Sequence, residues 1–183
     1  MDTMTTMPRA SDGLTVADLD GFPDDGWRYE LLDGTLLVSA APSFAHQRAQ
    51  IALVLLLADS IPPDLVLLVA PFDVLLDGTT LLQPDLLVAP RGQFAEKNLP
   101  GAPLLAVEIL SPSTRLIDRN LKKARFEEAG CPSFWVVDPN EPRLTAWELV
   151  DGAYVEVADL AGDESWTASA PYAVTISPSR LVG

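Results

Sequence analysis

The run "LLAVEILSPST", Leu104 to Thr114, constrains the fold more than any other stretch of this chain. Drawn as a strand, it puts Ala106, Glu108 and Leu110 on one side and Leu105, Val107 and Ile109 on the other. Both sides are apolar, which is the pattern of a central strand covered on both faces. Glu108 interrupts it. An unpaired carboxylate there would cost roughly several kcal/mol, so a cation must meet Glu108 or the strand must open onto a cleft.

A source of cations follows at once. Arg115, Arg119, Lys122, Lys123 and Arg125 put five of the chain's 12 basic residues within eleven positions, opposed only by Asp118, although the net charge is −14. Such acidity argues against a non-specific nucleic-acid coat and leaves the local cluster to be explained. On a helix, Asp118, Lys122 and Phe126 share one stripe, and Arg119, Lys123 and Glu127 share the next. Phe126 belongs in the core, so Lys122 leans inward and is the expected partner of Glu108. Lys123 is expected to pair with Glu127 in water, and Arg119 and Arg125 to be solvated.

The remaining pattern is strand-rich. "LTVADLDGF" reads as a short helix capped by Thr15, and "WRYELLDGTLLVSA" as a hairpin turning at Asp33-Gly34. A helix capped by Ser43 carries an Ala45, Ala49, Ala52, Leu56 stripe and ends at Pro62. Short apolar strands "DLVLLVAP", "FDVLLDG" and "PDLLVAP" come next, then the Glu108 strand, a charged helix from Thr114 to Ala129, and "SFWVVDP". A second hairpin turns at Asp151-Gly152, and the tail "SWTASAPYAVTISPSRLV" is expected to be extended. The fold class is α+β or α/β: a mixed sheet flanked by helices, with N-terminal and C-terminal β-hairpins. Residues 1–14 are expected to be a flexible N-terminus and 15–183 a single domain.

Two further acids interrupt apolar strands. Asp85 follows Pro84 at the mouth of "DLLVAP", and Glu30 lies beside Leu31 and Leu32. Three carboxylates brought together are stable only around a cation or with shared protons, and all-oxygen ligation suits Mg²⁺ or Mn²⁺. Each also has a plainer reading: Glu30 as a surface residue paired with Arg28, Asp85 as a turn cap, Glu108 as a salt bridge to the basic helix. A glycosidase would also use two carboxylates, but no aromatic sugar platform accompanies them and the cations favour a phosphate.

Pro84-Asp85, "VEILSPST" at 107–114, "DRNLKKARFEEAGCPSFWVVDP" at 118–139 and the opening "YELLDGTLLVSAAPSFAHQ" together resemble the Uma-two family, a bacterial group within the PD-(D/E)XK nuclease superfamily. The likeness runs from about residue 15 to 180. It implies a restriction-endonuclease-like core and a Mg²⁺- or Mn²⁺-dependent endonuclease acting on nucleic acid, DNA before RNA. Asp85, Glu108 and Lys122 would be catalytic, and Glu30, Asp85 and Glu108, with the Ile109 carbonyl, would hold the metal. The superfamily's E-x-K spacing would place lysine at Leu110, a residue without charge, and Lys122 on the next helix takes its role. Arg115, Arg119 and Lys123 would contact backbone phosphates; His46, the sole histidine, and Ser111 would line the site.

The rival reading is a non-catalytic interaction protein that keeps the nuclease fold. Double-strand cleavage by a one-site domain would favour a two-fold homodimer. "IALVLLLA", the longest apolar run, stops at Asp59, short of a membrane span. No secretory signal is visible, and Cys131 is the only cysteine, so no intrachain disulfide can form. The expected compartment is the cytoplasm.

Overall fold

The computed structural model describes residues 13–23, 25–39, 41–111 and 117–182, and residues 117–119 by their backbone only. Most of the expected N-terminal tail, the first turn of the expected charged helix, Ser113 and Arg115 therefore lie outside the described residues, as does the Arg119 side chain.

In chain order the elements are α1 (Val16–Leu19), β1 (Arg28–Leu32), β2 (Thr35–Ser39), α2 (Phe44–Ala58), β3 (Leu65–Val69), β4 (Asp73–Asp77), β5 (Thr80–Leu82), β6 (Leu86–Pro90), β7 (Asn98–Pro100) and β8 (Leu105–Ile109). A π-helical segment, Ile117–Lys122, runs into α3 (Lys123–Glu128), followed by β9 (Ser133–Asp138), β10 (Arg143–Val150), β11 (Ala153–Ala161), β12 (Trp166–Ala168), β13 (Val174–Ile176) and α4 (Ser179–Val182). None of the described helices is long and apolar enough to cross a membrane.

Asp33 and Gly34 turn the first hairpin with φ of 51° and 74°, the left-handed pair that a two-residue strand connection needs. Gly34 has a second reason to be glycine. A Cβ there would meet the Gly13 Cα and the Leu14 carbonyl oxygen, each at 3.2 Å, where the incoming chain crosses the turn. Asp151 and Gly152 repeat the same device between β10 and β11.

Two sheets form the body. One has the order β2-β1-β5-β4-β7, the other β11-β10-β9-β8-β6-β3. β8 sits inside the second sheet, antiparallel to β6 and parallel to β9, as its two apolar faces require. The parallel step is spanned by the π-segment and α3.

Alternation along β8 divides the core. Leu105, Val107 and Ile109 pack toward Ala49, Leu53 and Leu57 of α2. Ala106 and Leu110 pack on the other side with Phe126 of α3 and with Leu32, Val74 and Leu82 of the first sheet. Glu108 shares parity with Ala106 and Leu110, so it points into the layer between the two sheets. By the same rule Glu30 shares the face of Leu32, and Arg28 shares it too.

Three expectations change in detail. The buried stripe of α2 is His46, Ala49, Leu53, Leu57 and not the alanine row. From Ile51 onward this helix is apolar all round, so Leu53 and Leu57 turn inward in line with Ala49 while Ile51 and Leu55 are left exposed. The tail is not simply extended: β12 and β13 pair as a hairpin, closed by the α4 turn. The charged helix opens as a π-helix and becomes α-helical only at Lys123.

Candidate active site

β6 and β8 pair with Leu86 opposite Val107 and Leu87 opposite Ala106. One step further along that register brings Asp85 opposite Glu108. Pro84 has no N–H, so the ladder cannot continue through it, and the Asp85 side chain takes over. Its Oδ2 accepts from the Ile109 N–H at 2.7 Å, a donor that would otherwise face a neighbouring backbone. The same oxygen lies 3.1 Å from His46 Nε2, and Oδ1 accepts from Arg28 at 3.1 Å. Burial pushes the Asp85 carboxyl up. The His46 hydrogen bond and charge, the Arg28 guanidinium and the Ile109 N–H outweigh it and hold the group below the usual carboxylate range.

Glu30 meets these groups from the first sheet. Lys122 Nζ donates to both of its oxygens, at 2.9 and 3.0 Å, and lies 3.3 Å from Glu108 Oε1. The Gln83 N–H donates to Glu30 at 2.7 Å, and Arg28 Nε stands 3.6 Å away. Burial alone would pull the Arg28 guanidinium down, but the charges of Glu30, Asp85 and Glu108 raise it above its ordinary value. Glu30, Asp85, Glu108 and Lys122 are each 2% exposed or less. Three carboxylates thus face two fixed cations among the described residues, Arg28 and Lys122.

Of the side chains singled out from sequence, Glu30, Asp85, Glu108, Lys122 and His46 come together. Lys122 does reach Glu108, yet its nearer partner is Glu30, which is buried rather than a surface residue of the hairpin. His46 lines the site. Ser111 is half-buried two residues beyond β8. Leu110 is buried in the apolar cluster, so no cation stands there. Lys123 departs from its expected pairing: its ammonium lies over the Trp147 ring, 4.5 Å from the centroid, and Glu127 instead accepts from the Tyr154 N–H. Arg125 is not simply solvated, since it ties Asp33, Asp77 and Glu128 together.

Sequence reasoning passed over Gln83 and Gln50, and named Arg28 only as a surface partner of Glu30, not as a partner of the buried Asp85. The role of Arg28 could have been found from strand parity with Glu30, and Gln50 from its position one turn after His46; its Nε2 donates to the Asp85 carbonyl at 3.0 Å. Gln83 acts through its backbone, which leaves no trace in residue type.

For a divalent cation, the donors that fit are Asp85 and Glu108, neighbouring carboxylates in a site with more negative than fixed positive groups. Both oxygens of Glu30 accept from Lys122, and those of Asp85 are shared with the Ile109 N–H, His46 and Arg28, so an ion at Asp85 would have to take the place of one of those donors. Among the described residues no three His, Cys, Asp or Glu side chains gather closely enough to hold an ion by themselves.

A family model, Uma2, described as "Putative restriction endonuclease", matches residues 16–178. No curated protein matches the chain. One solved structure, titled as "a putative nuclease belonging to DUF820" from Anabaena variabilis, aligns with a TM-score of 0.73 over 92% of this chain and 97% of that one. The two are 16% identical, so the likeness is one of fold. The mixed α+β class with restriction-endonuclease-like architecture is thereby found as the sequence implied.

Proposed function

This chain belongs to the Uma2 family, and on that footing we propose that it is a metal-dependent endonuclease hydrolysing nucleic-acid phosphodiester bonds, DNA first. The observation that carries the reading is a buried cluster in which Arg28 joins Asp85 to Glu30, Lys122 joins Glu30 to Glu108, and Asp85 accepts from the N–H of the residue after Glu108. Buried groups with charge partners and perturbed pKa values cluster at functional sites.

Asp85 and Glu108 would hold Mg²⁺ or Mn²⁺. When bound, such an ion lowers the pKa of a coordinated water and offsets charge on the scissile phosphate. Lys122 has three N–H donors. Glu30 engages it through both oxygens and so sets its direction, and the lysine's positive charge beside Glu108 would orient the attacking water or offset charge on a phosphate oxygen. Against burial, His46, with Arg28 and the Ile109 N–H, holds the Asp85 carboxyl below the usual carboxylate range. Arg115, Arg119 and Lys123 would contact backbone phosphates, locally, since the overall charge of −14 gives no general grip. Cutting both strands would take a two-fold pair of chains.

One observation favours a second reading, a non-catalytic interaction protein: each of the three acids already has Arg28 or Lys122 as an ion-pair partner. Incubating the protein with plasmid, single-stranded DNA and RNA in Mg²⁺ or Mn²⁺, beside Glu108→Gln and Lys122→Met, separates the two. Cleavage that requires the ion and disappears in both variants supports the enzyme. Absence of cleavage, with no uptake of Mn²⁺ by the wild-type chain, supports the second.

A further inference from the structure

Residue 85 is held at both ends by one helix. His46 Nε2 lies 3.1 Å from its carboxylate, and Gln50 Nε2 donates to its backbone carbonyl at 3.0 Å. The two are four residues apart on α2 and so lie on one side of it, one above the other. That side is anchored, for His46 begins the buried stripe that continues through Ala49, Leu53 and Leu57. Asp85 stands just outside β6, directly after Pro84, where the pairing with β8 has ended. Its carbonyl still accepts from the Ala70 N–H at 3.1 Å, and Gln50 adds a second donor to that carbonyl.

We propose that α2 is the positioning element of the site, with His46 and Gln50 acting as a two-point clamp that keeps the Asp85 carboxylate beside Glu108. The inference rests on the nuclease reading but can be tested apart from it. Neither residue needs to touch substrate; both act through Asp85. The geometry also fixes the imidazole. Nε2 faces a carboxylate acceptor and presents an N–H to it, while buried Nδ1 finds no hydrogen-bond partner among the described residues. Gln50 is the more informative member, since it bonds only backbone and cannot itself be an acid, base or metal ligand of consequence.

Because His46 is the only histidine, ¹⁵N-histidine labelling gives a single imidazole whose NMR signals need no assignment. Gln50→Met keeps the side-chain volume and removes the donor; Gln50→Glu keeps the shape and reverses the polarity. The expected result is a His46 Nε2–H signal, protected from solvent exchange in the wild type, that moves or exchanges faster in both variants while the melting temperature stays near wild type. Mn²⁺ affinity of the full chain, measured by calorimetry, should fall about tenfold or more, the usual effect of removing a partner that orients a ligand. A His46 signal identical in all three proteins overturns the clamp. So does an unchanged Mn²⁺ affinity in a wild type that binds the ion. A wild type that neither binds Mn²⁺ nor cleaves ends the nuclease reading alone, and the imidazole signal still decides the clamp.

Discussion

The ammonium of Lys122 lies 2.9 Å from a carboxylate oxygen of Glu30, a residue 92 positions earlier, and both are almost wholly buried. Removing one partner of such a pair strands the other in low dielectric, at about 3–5 kcal/mol. Lys122→Met should therefore lower the urea unfolding free energy by that order as well as remove cleavage. Adding Glu30→Gln should restore most of the stability and none of the cleavage. A double variant as unstable as Lys122→Met would show that the lysine chiefly serves Glu108.

Asp85 and Glu108 should differ in what their amides do. Glu108→Gln is expected to abolish Mn²⁺ binding with a small change in stability. Asp85→Asn should abolish it too, and also weaken the fold by about 1–3 kcal/mol, because the Ile109 N–H, His46 and Arg28 all depend on that carboxylate. Calorimetric titration with Mn²⁺ beside urea denaturation reads both effects.

Arg125 links the turns of two hairpins to α3, at 3.1 Å from Asp33, 2.6 Å from Asp77 and 2.5 Å from Glu128. Its partners are largely exposed, so the network is screened and Arg125→Ala should cost only about 1 kcal/mol, less at high salt. Cleavage per folded molecule should be unchanged. A large loss of cleavage would place Arg125 among the phosphate contacts instead.

Burial pushes the Cys131 thiol and the Tyr172 hydroxyl each up to about 12. Both are acids whose neutral form the fold prefers. Their stabilising effect is complete below the ordinary values of 9.0 and 10.0 and is lost as pH rises through the raised ones. Unfolding free energy should fall between about pH 9 and pH 12, and Cys131→Ala should make that fall shallower. At pH 8 the thiol should resist alkylation until the chain is unfolded.

What could be read from residues alone was whatever is settled within one element. Glycine after aspartate marked both hairpin turns, Ser43 marked the start of α2, and two apolar faces marked β8 as central. Parity and the i,i+4 stripe sufficed to turn Glu108 and Lys122 inward. Partnership between distant elements was harder. Glu30 becomes the main partner of Lys122 only because β1 joins β5, which follows some fifty residues later, and nothing near Glu30 encodes that pairing. Spacing on its own helix pairs Lys123 with Glu127, yet Trp147, on a strand two elements away, offers a ring face that covers the charge.

Where the chain enters α3 it first makes a wider coil, and Lys122 is the last residue of it. Lys122 keeps step with Phe126, which is seated in the apolar layer, and not with the strand that carries Glu108. A residue gained or lost in the intervening stretch could be taken up by widening or tightening that coil while the amine stayed where it is. The interval from acid to amine, counted along the chain, is then a matter of slack and not of chemistry. A search keyed to one fixed interval would pass over chains whose reactive groups meet in space just as these do.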